Sequence, residues 1–109
     1  MKNKVVCLCG SVRFVETFKR ASEKLTDAGY IVLSTCRVLS PEQQGKQPEL
    51  KRKLDKLHLE KIDMSDWVLI LNVNNYIGFS TKNEIEHAVK AGKPVFYITS
   101  FDLDNIKEK

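Results

Sequence analysis

Two stretches of this chain carry side chains whose types and spacing suit chemistry on a sugar or a phosphate. The first is Gly78-Phe79-Ser80-Thr81-Lys82-Asn83-Glu84, which leads into a helical pattern. A carboxylate at Glu84 could attack an anomeric carbon or stabilise an oxocarbenium-like centre. Tyr76, Gly78 and Ser80 are candidates to contact the same ligand from this loop. The second stretch is Cys9-Gly10-Ser11-Val12-Arg13, which follows a short apolar run. Gly10 permits a tight turn. Free amides at a helix start, the Ser11 hydroxyl and the Arg13 guanidinium could together hold a phosphate or sugar hydroxyls. Both stretches also have structural readings. Ser11 can serve as an N-cap. Thr81-x-x-Glu84 reads as a capping box, with its acid favoured by the helix dipole. Neither GxGxxG nor GxxxxGK[ST] occurs, so no dinucleotide cofactor and no P-loop is expected.

His58 borders an apolar helical stripe, where a half-buried, satisfied histidine is the ordinary outcome. With Lys56 and Lys61 it could instead meet an anionic ligand. His87 stands beside Glu86 and reads as a surface residue, while Asp63 and Asp66 cap or solvate the turn between them and the next strand. The three cysteines form no framework spacing. Cys7 and Cys9 are expected on opposite faces of a strand, leaving only Cys36 and two distant histidines as metal partners. That reading predicts no disulfide, no metal site and a reducing, cytoplasmic setting.

The elements that must position these residues follow from periodicity. Val5 to Cys9 is a short apolar, partly β-branched run and predicts a buried strand. Phe14, Phe18, Ala21, Leu25 and Ala28 recur on one helical face, which Gly29 ends. Tyr30 to Ser34 predicts a second strand, and Thr35 to Gln47, with Pro41 and Gly45, a loop. Pro48 suits a helix start, with Leu50, Leu54, Leu57 and Lys61/Ile62 as its inward stripe. Trp67 to Val73 predicts a third strand, Thr81 to Ala91 a third helix, and Val95 to Ile98 a fourth strand. The polar tail from Ser100 is expected to fray at its end. Continuous apolar strands alternating with amphipathic helices predict one parallel sheet covered on both faces. Right-handed crossovers then give a flavodoxin-like (Rossmann-like) three-layer α/β sandwich, a single domain over 1–109, with strand order 2-1-3-4. Ligands in such sheets bind at the carboxyl ends of the strands around the switch point, here between strands 1 and 3.

Composition narrows the class. The 109 residues are 42% hydrophobic and 29% charged, which excludes disorder and low-complexity arrays. The longest nearly apolar run is Trp67 to Leu71, against the roughly 20 residues of a membrane span. At the N-terminus Gly10 to Arg13 interrupts the apolar run too early for a signal-peptide core. Much of the +4 net charge lies between Lys46 and Lys61, where Lys46, Lys51, Arg52, Lys53, Lys56 and Lys61 face Glu49, Asp55 and Glu60. This reads as a solvated helix face or as a patch that attracts phosphate. No aromatics interleave with these cations, so a nucleic-acid polymer is not an expected partner.

The ordered set of Cys9-Gly10-Ser11, Ile62-x-x-x-Asp66 before an apolar strand, and Gly78…Glu84-Ile85-x-x-Ala88…Gly92-Lys93-Pro94-Val95 resembles the nucleoside 2-deoxyribosyltransferase superfamily. This group includes deoxyribosyltransferases and deoxynucleoside 5′-monophosphate N-glycosidases. The resemblance implies a flavodoxin-like fold, a homodimer or larger assembly, and a nucleoside or nucleotide ligand. It implies Glu84 as the key carboxylate, with Gly10, Ser11 and Arg13 near phosphate or sugar. Two positions depart from the pattern. His58 stands eight residues before Asp66, where the family carries an aspartate, and Cys7 stands where the family carries a tyrosine. His58 could replace the aspartate as proton donor to a leaving base. Two function classes follow. One is an N-glycosidase or deoxyribosyltransferase with Glu84 as nucleophile. The other is a nucleotide-binding or sensing module without turnover, favoured by the two departures. A third, an electron carrier on this fold, lacks a Ser/Thr-rich phosphate loop after the first strand.

Overall fold

The computed structural model describes residues 4–106. Its elements run β1 (Val5–Cys9), α1 (Val15–Asp27), β2 (Ile31–Leu33), α2 (Pro41–Lys46), α3 (Pro48–Met64), β3 (Trp67–Ile70), α4 (Phe79–Lys90) and β4 (Val95–Tyr97). The four strands form one parallel sheet in the order β2-β1-β3-β4, the flavodoxin-like arrangement expected from the sequence. Val6 of β1 pairs with Trp67 of β3, and Cys9 with Ile70.

The period of two along the strands divides the core into two faces. Val6, Leu8, Trp67, Leu69 and Leu71 pack against Ala21 and Leu25 of α1. Cys7, Cys9, Val68 and Ile70 pack on the other side with Ile62 of α3 and Ala88 of α4. Both faces are therefore covered, which is why the strands read as continuous apolar runs rather than alternating ones.

Several expected boundaries shift. The predicted loop from Thr35 to Gln47 contains α2, because Ser40 caps it. The Ser40 hydroxyl accepts from Gln43 N at 3.1 Å, and Ser40 N donates to Gln43 Oε1 at 2.9 Å. Pro41 at the first helical position completes that start. The third strand ends at Ile70 rather than Val73, where a short 3-10 turn (Val73–Asn75) begins. The fourth ends at Tyr97. The stripe of α3 buries His58 and Ile62 while Leu57 stays 42% exposed. Before the last described residue the tail is anchored. Leu103 is buried in the α1-side core, and Asp104 pairs with Arg20 at 3.0 Å and Lys24 at 3.2 Å.

Asp66 pins the opening end of the central strand pair. Its Oδ2 accepts from Lys4 N at 2.9 Å and Val5 N at 2.8 Å, and its own N donates to Val5 O at 2.7 Å. Charge-assisted bonds to backbone amides are stronger than neutral ones. Asp66→Ala is therefore expected to lower unfolding free energy by about 1–2 kcal/mol, with Asp66→Asn losing less. Urea denaturation checks this through a lower midpoint at unchanged m-value.

Candidate functional site

The carboxyl ends of β1 and β3 open into a cleft of about 830 Å³, within the range of small-molecule sites. All eight residues singled out from the sequence line it: Gly10, Ser11 and Arg13 after β1, His58 on α3, Tyr76, Gly78 and Ser80 after β3, and Glu84 on α4. The segment Thr35 to Leu39 and the exposed side of α3 close the remaining wall.

Local backbone chemistry brings the two loops together. Gly10 lies against the continuation of β3, and a Cβ there would sit 3.1 Å from Leu71 Cβ and 3.2 Å from Leu71 O. Glycine is thus needed for close approach rather than for a positive φ. After β3, Asn74 and Asn75 are both left-handed, at φ 54° and 64°, a conformation asparagine tolerates better than most residues. They reverse the chain and deliver Tyr76 to Arg13. The guanidinium lies 4.4 Å from the Tyr76 ring centroid, and Arg13 Nη2 donates to Tyr76 Oη at 3.3 Å.

The helix starts differ from expectation. Gly10 to Arg13 forms a turn, closed by Phe14 N donating to Ser11 O at 3.1 Å, and α1 begins only at Val15. Ser11 does not cap α1; its Oγ accepts from Arg13 N at 3.4 Å inside that turn. The helix whose first turn faces the cleft is α4. Gly78 is its N-cap and supplies no side-chain bond, and Phe79, Ser80 and Thr81 line the cavity. Because α4 begins two residues earlier than the pattern implied, Thr81 and Glu84 lie inside it. The expected capping box does not form. Glu84 sits in the second turn, free of a capping role and directed at the cleft floor.

On that floor four polar groups converge. Glu84 Oε1 lies 3.8 Å from His58 Nε2, with the two side chains 17% and 9% exposed. His58 Nε2 also meets Cys9 Sγ at 3.3 Å and Cys7 Sγ at 3.9 Å. Residues two apart on a strand share a face, so both thiols point at the imidazole, contrary to the expected opposite placement. The expectation that no histidine reaches them fails too: His58 is distant in sequence and adjacent in space. His58 Nδ1 is buried and is the one such side-chain nitrogen or oxygen without a partner among the described residues.

These contacts move the protonation equilibria. The hydrogen bond from Cys9 stabilises the Cys7 thiolate and, aided by His58 against the cost of burial, brings its pKa to about 6. The same Cys7 contact, with burial, holds the Cys9 thiol well above its ordinary value. Burial alone would lower the imidazole, but the Cys7 hydrogen bond and the negative charge of Glu84 raise it. Burial raises the Glu84 carboxyl, and the opposing charge of His58 does not fully offset it. Raised pKa values for a neighbouring carboxyl and imidazole in a cleft are the pattern of acid–base sites.

Sequence reading missed the thiols and Asp55. Asp55 lines the cleft one turn before His58 and pairs with Lys51 at 2.6 Å. Its i−3 spacing from His58 was the available signal. Part of the basic run is used internally: Lys61 Nζ donates to Ser34 O at 2.7 Å and reaches Cys36 Sγ at 3.5 Å. His87 lies at the surface as expected, its side chain 34% exposed, where its Nε2 meets Asp63 Oδ1 at 2.8 Å.

Gly10→Ala tests the close approach. Leu71 is fully buried and its N donates to Cys9 O at 2.7 Å, so it has little room to give, and the substitution is expected to destabilise by about 1–3 kcal/mol. A lower thermal midpoint with retained α/β circular dichroism is the expected readout.

No protein-family model and no curated protein matches this chain.

Proposed function

We propose that this chain cleaves or transfers the N-glycosidic bond of a nucleoside or nucleotide, with Glu84 as nucleophile and His58 as proton donor. The observation that carries this reading is the Glu84 carboxylate. It is four-fifths buried on the cleft floor, freed from helix capping, and 3.8 Å from His58 Nε2. The resemblance to the nucleoside 2-deoxyribosyltransferase superfamily points to the same residue.

The chemistry follows from the arrangement. A Glu84 oxygen attacks the anomeric carbon while the carbon–nitrogen bond breaks and its electron pair leaves with the base. The imidazolium of His58 supplies the proton that neutralises the departing base; burial opposes that charged form, but the Cys7 hydrogen bond and the Glu84 charge together favour it. The glycosyl ester then yields to water or to a second base. An attacking water gives its proton back to His58, the sugar is released, and the carboxylate is restored. Opposite, Ser11 and the uncapped amides at the start of α4 suit sugar hydroxyls or a phosphate. Arg13, stacked on Tyr76, adds the positive charge.

A second copy of the chain suits this cleft. Phe79 at its edge is 81% exposed and Met64 68% exposed. Large apolar side chains flanking a ligand site are surfaces that assembly covers. Reduced thiols at Cys7, Cys9 and Cys36 accord with a cytoplasmic setting. Among the described residues no helix is long and apolar enough to cross a membrane.

Base release from a panel of nucleosides and 5′-monophosphates, followed by chromatography, tests the reading. Glu84→Gln is expected to lower kcat about a thousandfold or more with the circular dichroism spectrum unchanged. Equal release by both proteins overturns Glu84 as the nucleophile, and no release from any substrate despite binding overturns catalysis in favour of a nucleotide-sensing module. Arg13→Ala is expected to raise KM for the monophosphates about tenfold, since a charge-assisted bond is worth at least roughly 1.4 kcal/mol, and to leave nucleosides nearly unaffected.

A further inference from the structure

We propose that Cys7, Cys9 and His58 form a binding site for a thiophilic divalent cation of the zinc class, with the Glu84 carboxylate as fourth ligand. One donor atom from each of the first three residues lies within 4.8 Å of the others, and all three side chains are buried. Soft thiolates with an imidazole are the donor set that selects zinc over magnesium or calcium.

The distances support this choice over a fortuitous cluster. Bond lengths of about 2.3 Å to sulfur and 2.0–2.1 Å to nitrogen or oxygen place tetrahedral neighbours roughly 3.4–3.8 Å apart. The imidazole Nε2 stands 3.3 Å from Cys9 Sγ, 3.9 Å from Cys7 Sγ and 3.8 Å from Glu84 Oε1. These three distances from Nε2 lie within about 0.5 Å of tetrahedral edges. All three contacts converge on Nε2, so a single ion at their centre replaces competing hydrogen bonds to one atom. Two ligands come from one strand of the central sheet, and the others from α3 and α4, so the donors sit on rigid elements. The cleft reaches the cluster through His58 and Glu84, which line it. Binding releases the thiol protons to water.

The ion takes the same Nε2 lone pair and carboxylate that glycosidic chemistry needs. An occupied site and turnover therefore exclude one another, a corollary that rests on the function proposed above. The metal site itself does not depend on that function.

Cobalt(II) titration of the full, reduced chain tests the site. Expected are one equivalent bound, a thiolate-to-cobalt charge-transfer band and the intense visible absorption of a tetrahedral ion, all displaced by zinc. Cys36→Ser is expected to keep the spectrum, because that thiol lies outside the cluster. Cys9→Ala and His58→Gln, each verified as folded by circular dichroism, are expected to lose the tetrahedral signature. Glu84→Gln is expected to weaken binding while keeping the charge-transfer band. Absence of the band in the wild type, or its loss in Cys36→Ser, overturns the proposal. Since the spectrum is read without substrate, failure of the site and failure of the glycosidic reading are separable.

Discussion

The imidazole of His58 is buried under the cleft, and its environment governs what this molecule can do. A polar ring removed from water costs free energy unless its atoms find partners. Here Nε2 is shared among two strand thiols and a carboxylate, all within 3.9 Å, while Nδ1 has none among the described residues. A buried nitrogen without a partner departs from full polar satisfaction, a departure expected at functional sites rather than structural ones. The perturbed equilibria of Cys7, Cys9, His58 and Glu84 have one origin, because burial forces these groups to balance charge among themselves.

The sheet supplies the geometry in which that balance is held. Parallel pairing of β1 and β3 sends the chain out of both strands at the same end, and their loops diverge to opposite sides. Two pins fix that pair. Asp66 binds the backbone where the strands begin. Beyond their ends, Leu71 N donates to Cys9 O at 2.7 Å. Gly10 then crosses Leu71 so closely that an added Cβ would sit 3.1 Å from Leu71 Cβ. With the frame held at both ends, the Arg13–Tyr76 stack forms the roof of the cleft and the thiol–imidazole–carboxylate group its floor.

The two proposed uses, nucleophilic chemistry on a sugar and coordination of a soft cation, both involve the Glu84 carboxylate and His58. Both draw on one lone pair of His58, which makes them alternatives rather than partners. Cys7 is central to this. A tyrosine there would offer a hydroxyl and no soft donor, whereas a thiol adds the sulfur that completes a tetrahedral set. Cys7 and His58, far apart in the sequence, thus meet at one point in space.

The sequence by itself determined the layers, the strand order and the residues around the cleft. Apolar runs and helical stripes are local signals, and a parallel sheet admits few topologies. Ser11 and Tyr76 were legible because they lie in the loops after β1 and β3, which the sheet directs to one edge, and Glu84 because it lies near the start of the helix that follows. Tertiary structure decided the rest. The Thr81-x-x-Glu84 spacing could not reveal where α4 starts; the folded chain places the N-cap at Gly78, which leaves Glu84 in the second turn without a capping role. The short α2 depended on a cap at Ser40 within a stretch lacking a hydrophobic period. The union of Cys9 with His58 joins residues 49 positions apart across a strand and a helix. No local pattern encodes such a meeting, because it depends on how α3 crosses the sheet, and side-chain packing across the whole core sets that crossing.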